Sequence, residues 1–239
     1  MREINNFKRG LISGIPICVG YFSVAFAFGI YSVQYGLSVL EAFLISATNL
    51  TSAGQLAGVP IICTGGSLIE LAITQLVINS RYALMSVSLS QKLGKSIKTL
   101  DRFIISFANT DEVFAVATSN SLNVGKKYMY GLMIPPIIGW TSGTLFGALA
   151  GDILPEMVTN ALGVAIYGMF IAIVVPQAKK DFSVLCCVVL SLFLSCVFDL
   201  VPFLQKNIPS GFTIIICSVI ASFVMAIVAP VKVEVSEND

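Results

Sequence analysis

Apolar runs of roughly twenty residues recur from one end of this chain to the other, each long enough to cross the hydrocarbon core of a bilayer as a helix. Inside lipid a backbone must satisfy its own hydrogen bonds, which leaves helices and closed barrels. A barrel would show short segments of alternating polarity, and the chain has none. A soluble domain carries about 25% charged residues; this chain of 239 residues has 11%, with 56% hydrophobic residues and a mean hydropathy of +0.90. The fold class is therefore an all-α polytopic membrane protein.

Several functions are excluded or made remote by what is missing. The net charge is +1, and no basic patch interleaved with aromatics points to nucleic acid. There is no histidine and no C-x-x-C pair; Cys18, Cys63, Cys186, Cys187, Cys196 and Cys217 read as small apolar packing residues. No metal and no cofactor is expected. No phosphate-binding G-x-x-x-x-G-K-[ST] motif occurs, and no nucleophile–base set suggests an enzyme. Arg2, Lys8 and Arg9 precede the first apolar run as in a signal peptide, but the run is too long for one and reads as a first span.

The runs are residues 11–35, 41–62, 67–89, 103–124, 128–150, 157–175, 182–204 and 211–229. Two carry polar patches near their centres: Asn49 to Gln55 in the second, and Asn109-Thr110-Asp111-Glu112 in the fourth. Basic residues decide how they are threaded. If all eight runs cross, the amino terminus and the loop of Lys92, Lys95, Lys98 and Arg102 fall on opposite faces. If 41–62 and 103–124 instead enter and return, that loop shares a face with the amino terminus, Lys126, Lys127, Lys179, Lys180 and Lys232. Only Lys206 is left opposite, with Glu41, Asp152 and Glu156. The expected layout is about six spanning helices, two interrupted or re-entrant segments, and both termini in the cytoplasm of a cell-membrane protein. The interruptions coincide with the polar patches, as they should where irregular backbone lines a cavity.

Arg81 is the costliest residue in this layout. It lies about 15 Å along a helix from Lys92, half a hydrocarbon core deep, and a guanidinium there costs about 2.5–3.5 kcal/mol on insertion scales. It needs a partner or a wet cavity. The residues expected to converge on a substrate site are Asn49, Ser52, Gln55, Asn79, Arg81, Asp111 and Glu112. An arginine with amide partners suits a carboxylate, because its fork offers paired donors. The starts of broken helices add free amide groups. The acidic pair suits a substrate ammonium or a proton, since burial and like charge both favour a neutral carboxyl. A cationic and an anionic pole in an apolar surround fit a neutral amino acid with an apolar side chain, although a plain salt bridge from Arg81 to Asp111 or Glu112 would carry the same signature. Asp199 and Glu70, near run ends, read as interfacial.

The sequence also echoes itself. Pro16-Ile17-Cys18-Val19-Gly20-Tyr21, followed by Gly29, is answered by Pro135-Pro136-Ile137-Ile138-Gly139-Trp140, followed by Gly147; Gln55 and Gln177 lie further on. Duplicated halves at 10–124 and 128–230, within one membrane domain of residues 1–239, would explain it.

The order Pro16-x-x-x-Gly20-Tyr21, Phe28-Gly29, Gly36-Leu37-Ser38, Glu41, Ser52-Ala53-Gly54-Gln55, Asn79-Ser80-Arg81-Tyr82 and Thr110-Asp111-Glu112-x-Phe114-Ala115 resembles the AzlC family of branched-chain amino acid exporters. Family members usually carry histidine after the arginine, where this chain has Tyr82. The resemblance implies a secondary transporter exporting valine, leucine, isoleucine or similar neutral amino acids on an ion or proton gradient. It also implies a small membrane subunit of the AzlD type as partner. The alternative is a non-transporting structural or assembly subunit of a membrane complex.

Overall fold

In the computed structural model, which describes residues 3–155, 157, 171, 174–176 and 178–229, two 28-residue helices form the frame: α1 (Phe7–Gln34) and α8 (Lys126–Ile153). At 1.5 Å per residue each is about 42 Å long, more than a hydrocarbon core. Asn6 caps α1, its side chain accepting from the Arg9 N–H at 3.0 Å. Gly139, Gly143 and Gly147 recur one turn apart on α8. A Cβ on any of them would fall on the α1 backbone, at Cys18, Phe22 and Phe26 in turn. The contacts advance together on both helices, so the two run parallel with their backbones in close approach. Ahead of them, β1 (Glu3–Ile4) and β2 (Asn123–Val124) pair in parallel, Glu3 beside Asn123 and Ile4 beside Val124.

Between these helices the chain makes two broken segments and one broken crossing. In the first segment, α2 (Val39–Thr48) opens with a capping box, in which Ser38 and Glu41 bond each other's backbone. It stops at Asn49, and α3 (Ala53–Cys63) starts after Ser52. Leu37, at the head of the segment, and Cys63, at its tail, share one apolar cluster with Phe28, Tyr31 and Val59. The segment therefore returns to the end from which it left. In the second, α6 (Thr99–Phe107) and α7 (Asp111–Thr118) are separated by Ala108, Asn109 and Thr110. Gly94 N–H donates to Val124 C=O (2.8 Å) and Gly125 N–H to Ile4 C=O (2.7 Å). Gly94 before the segment and Val124 after it thus bond each other, with the amino-terminal strand paired alongside, and it too enters and returns. Both interruptions fall on the polar patches that the sequence marks.

The run at 67–89 differs from the expected single helix. It is divided into α4 (Leu68–Asn79) and α5 (Arg81–Lys92) at Ser80. The Ser80 N–H and hydroxyl both turn back to Val77 C=O, at 3.3 and 2.8 Å, tightening the turn and competing with the regular helix bond. The pair carries the chain from the Leu37 end to the strand end. Downstream, α9 (Phe182–Leu200) and α11 (Ser210–Val228) flank a short α10 (Pro202–Asn207), so the run at 182–204 ends early, at Val201.

Four of the six expected spans are thus long apolar helices, and a fifth crosses in two pieces. The run at 157–175 falls almost wholly outside the described residues, as does Gln177. No described residue of α9 is buried, and Phe182, Leu192, Phe193 and Leu200 stand open, as lipid-facing side chains do.

A side chain placed in the α1–α8 contact must push two backbones apart. Gly143→Leu should cost at least the 1–3 kcal/mol typical of overpacking and lower the unfolding temperature in detergent. Gly20→Leu, where an added Cβ meets nothing within 4 Å, should leave it unchanged.

The strand end carries a second lock. Asp101, buried at the start of α6, takes Lys126 Nζ at 2.7 Å, the Tyr130 hydroxyl at 2.8 Å and the Lys98 N–H at 2.9 Å. Led by the Lys126 bond, these hold its pKa down at about 2. A carboxyl depressed in the fold adds stability above its unfolded value, about 3.9. Unfolding followed against pH should show that part fading from about pH 4 towards 2, and Asp101→Asn should flatten the fall.

Candidate functional site

The break at Ser80 sets Arg81 midway between the two ends, with one twelve-residue helix above it and another below. Its guanidinium is paired with the Asp111 carboxylate, donates to the Tyr82 hydroxyl at 3.3 Å, and lies 4.9 Å from the Tyr82 ring centroid. Asp111 can reach it because the chain breaks at Ala108–Thr110 and restarts as α7 at that depth. Thr110 caps the new helix, so Asp111 and Glu112 stand at the positive end of its dipole. Both partners of the pair keep nearly half their side-chain surface open, 45% for Arg81 and 48% for Asp111. The pair is reachable by a ligand.

Next to it, the Tyr21 hydroxyl donates to Glu112. Tyr21 meets Trp140 edge to face at 5.3 Å, which joins the charged group to a buried neutral one. Trp140 Nε1–H donates to Gln55 Oε1 at 3.0 Å, and Gln55 Nε2–H donates to Ser46 Oγ at 2.9 Å. Ser46 lies 2.7 Å from Thr144 Oγ1. Gln55, Ser46 and Thr144 are 2%, 0% and 0% exposed, so this chain of bonds is sealed and rigid. A third thread runs from Asn79, whose amide donates to Gln75 Oε1 at 3.1 Å, to Gln75, which donates to Gly54 C=O at 2.7 Å.

The expected site residues therefore fall into two neighbouring groups. Arg81, Asp111 and Glu112 form the charged one; Asn49 and Gln55 line a cavity of about 180 Å³ with Gln75, Gly54 and Leu71, between α2, α3 and α4. Asn79 bridges them along α4. Of the two arrangements the sequence allows, Arg81 takes the salt bridge and not amide partners: Asp111 and Tyr82 occupy its fork, while Asn49, Gln55 and Asn79 bond elsewhere. The physical reason is that at this depth a full opposite charge compensates a guanidinium better than amide dipoles do. Ser52 acts through its backbone: its φ of 46° and ψ of −82° are strained for any residue with a Cβ and aim α3 back towards the end it came from.

Tyr21, Ser46, Gln75, Trp140 and Thr144 escaped the sequence reading as site members. Trp140 is the only tryptophan and answers Tyr21 in the internal echo, which was the available signal. Glu70, near the start of α4, is buried, 5% exposed, and accepts the Gly211 N–H at 3.0 Å, capping α11. Among the described residues no cluster of three or more metal-ligating side chains forms, and all six cysteines are free.

Long apolar helices around broken ones, with a reachable charge pair and a polar-floored cavity at the breaks, define a polytopic α-helical membrane protein with a polar cluster in its interior. The profile of the family described as AzlC protein matches residues 16–154, and the chain belongs to that family. An uncharacterized membrane protein of Archaeoglobus fulgidus is 33% identical over 175 residues, 72% of this chain and 76% of the relative. Inner membrane protein YgaZ of Escherichia coli is 28% identical over 184 residues, 74% of this chain and 75% of the relative. The branched-chain amino acid transport protein AzlC of Bacillus subtilis is 22% identical over 178 residues, 73% of this chain and 69% of the relative. No solved structure matches significantly.

The buried thread can be tested by a double-mutant cycle. Gln55→Leu strands the Trp140 N–H and Ser46 in an apolar surround, and each buried orphan costs about 1–3 kcal/mol. Trp140→Phe removes the donor. Unfolding of the double variant should fall short of the summed single effects by about 1 kcal/mol; strict additivity would mean that the bond carries nothing.

Proposed function

We propose that this chain is a secondary transporter that exports branched-chain or similar neutral amino acids across the cell membrane, driven by an ion or proton gradient. The observation that carries the reading is the Arg81–Asp111 pair, held at half depth yet open. A zwitterion can exchange with such a pair, giving its carboxylate to Arg81 and its ammonium to Asp111 or Glu112, so that no charge is left bare. Asn49 and Asn79 supply neutral polar contacts on the cavity side, Gln55 fixes the cavity wall through its bonds to Trp140 and Ser46, and Ser52 holds the turn that presents them. The transport name of the Bacillus subtilis relative supports the substrate class. No catalytic chemistry is assigned to any residue.

In this reading both termini and the lysine-rich loops lie in the cytoplasm, and the chain works with a small AzlD-type membrane subunit. Residues 1–239 form one transporter domain, with repeat halves at 10–124 and 128–230. The equal length of α1 and α8, each led in by a strand, supports the duplication.

Arg81→Lys tests the site. Lysine keeps the charge but is a compact point donor without the paired fork. At matched membrane abundance, efflux of preloaded labelled leucine should lose on the order of a hundredfold in apparent affinity, the scale of a broken desolvated charge-assisted contact. Arg81→Ala should be worse, because Asp111 is then uncompensated. Near-normal efflux in Arg81→Lys would remove the arginine from the site.

A further inference from the structure

A larger cavity, of about 320 Å³, opens between α5 and α6 on the strand side of the Ser80 break, and none of its lining residues belongs to the site just described. Its volume is at the lower edge of the range that holds small ligands. Leu89 and Ile105, 3% and 2% exposed, make its apolar wall with Leu93, and Arg102 stands exposed at its mouth. Asn109 closes the other end. It is 4% exposed, its amide donates to Ser86 Oγ at 3.1 Å, and its Oδ1 is buried with no hydrogen-bond partner. A buried amide oxygen without a donor is uncommon and marks a place where a ligand donor would be favoured. Arg102 lies on α6 and Asn109 two residues past its end, and both line this one cavity.

We propose that this cavity is a second, cytoplasmic-side binding site for a zwitterionic amino acid with an apolar side chain. The ammonium meets Asn109 Oδ1, the carboxylate meets Arg102, and the side chain lies against Leu89, Leu93 and Ile105. The proposal rests on the transport reading for the identity of the ligand and adds to it a docking step before the Arg81–Asp111 pair. α4 lines the cavity beyond the break and α5 lines this one, so the two sites lie on opposite sides of Arg81 along a single broken helix.

The test is thiol labelling of a Ser90→Cys variant of the full chain in nanodiscs, read by mass spectrometry of that peptide so that native cysteines do not interfere. Ser90 lines the cavity and its hydroxyl bonds only its own helix, at Val87 C=O, so cysteine is a mild change. Leucine should slow labelling, whereas leucinol (no carboxylate) and isocaproate (no ammonium) should need at least tenfold higher concentration. Adding Asn109→Leu or Arg102→Gln should weaken leucine protection by a similar factor. Isocaproate protecting as well as leucine, or no protection by any of the three, would overturn the proposal, and so would full protection in Asn109→Leu. Leucine efflux from proteoliposomes is measured alongside. Because the transport reading includes a small membrane subunit, efflux is scored with that subunit present: efflux without protection overturns this site and leaves the transport reading standing, and protection without efflux supports the site and overturns transport.

Discussion

A guanidinium halfway through a hydrocarbon layer must be compensated from within the protein, and much of the central architecture follows from that need. The countercharge is Asp111, and a carboxylate can arrive at that depth only at the end of a helix or at a break in one. The chain does both. α6 stops at Phe107, α7 starts at Asp111, and Thr110 caps the restart so that the exposed amide groups are partly satisfied. Arg81 likewise sits at a break, opening α5. Such a pair contributes little net stability, because desolvation offsets most of its attraction. It is held in place by the fold rather than holding the fold.

What holds it is the α1–α8 frame. Glycines on α8 let two long helices touch backbone to backbone, and the strand pair ahead of them sets their register. That register puts Tyr21 and Trp140 at one height, ring against ring. Each then reaches out to a different broken segment: Tyr21 to Glu112 at the start of α7, Trp140 to Gln55 near the start of α3. The two re-entrant segments come from opposite ends and are each fixed at their tips by one aromatic of the frame. A slip of one turn along α8 would separate the rings and release both tips together.

Much of this could be read in the sequence, and the rest could not, for identifiable reasons. Run lengths and lysine placement were enough for the class, for the two interruptions and for the gathering of residues 92–102 and 126–127 at one end, because those follow from local polarity. The break at Ser80 was hidden, since the residues around it include neither proline nor glycine and Ser80 keeps a helical φ of −55° and ψ of −31°. Asp101 stands among lysines and nothing in its local sequence singles it out, yet it is buried and triply bonded. Glu70 read as interfacial from its distance to the run end. What meets it is α11, whose Gly211 lies 141 residues later. Pairings such as Tyr21 with Glu112 or Ser46 with Thr144 depend on helix register across the fold, and no window of sequence contains both partners.

The open charge pair also bears on which ligands can pass, on the transport reading. A simple anion that took Arg81 from Asp111 would leave the carboxylate unpaired at depth, and a simple cation taking Asp111 would strand the guanidinium. Breaking the pair on one side leaves the other charge uncompensated in a largely apolar surround, a cost that the half-open geometry lessens and does not remove. A zwitterion brings one charge of each sign and leaves neither partner bare, so the pair selects for opposite charges on one small molecule without contacting its side chain. Preference among apolar side chains must then come from the cavity walls, where a methylene is worth only about 1–3 kcal/mol. Such a site separates neutral amino acids sharply from amines and acids, and separates leucine from valine only weakly. Tyr82 fits this division: its hydroxyl and ring brace the arginine without adding a group that titrates near neutral pH, as a histidine there would.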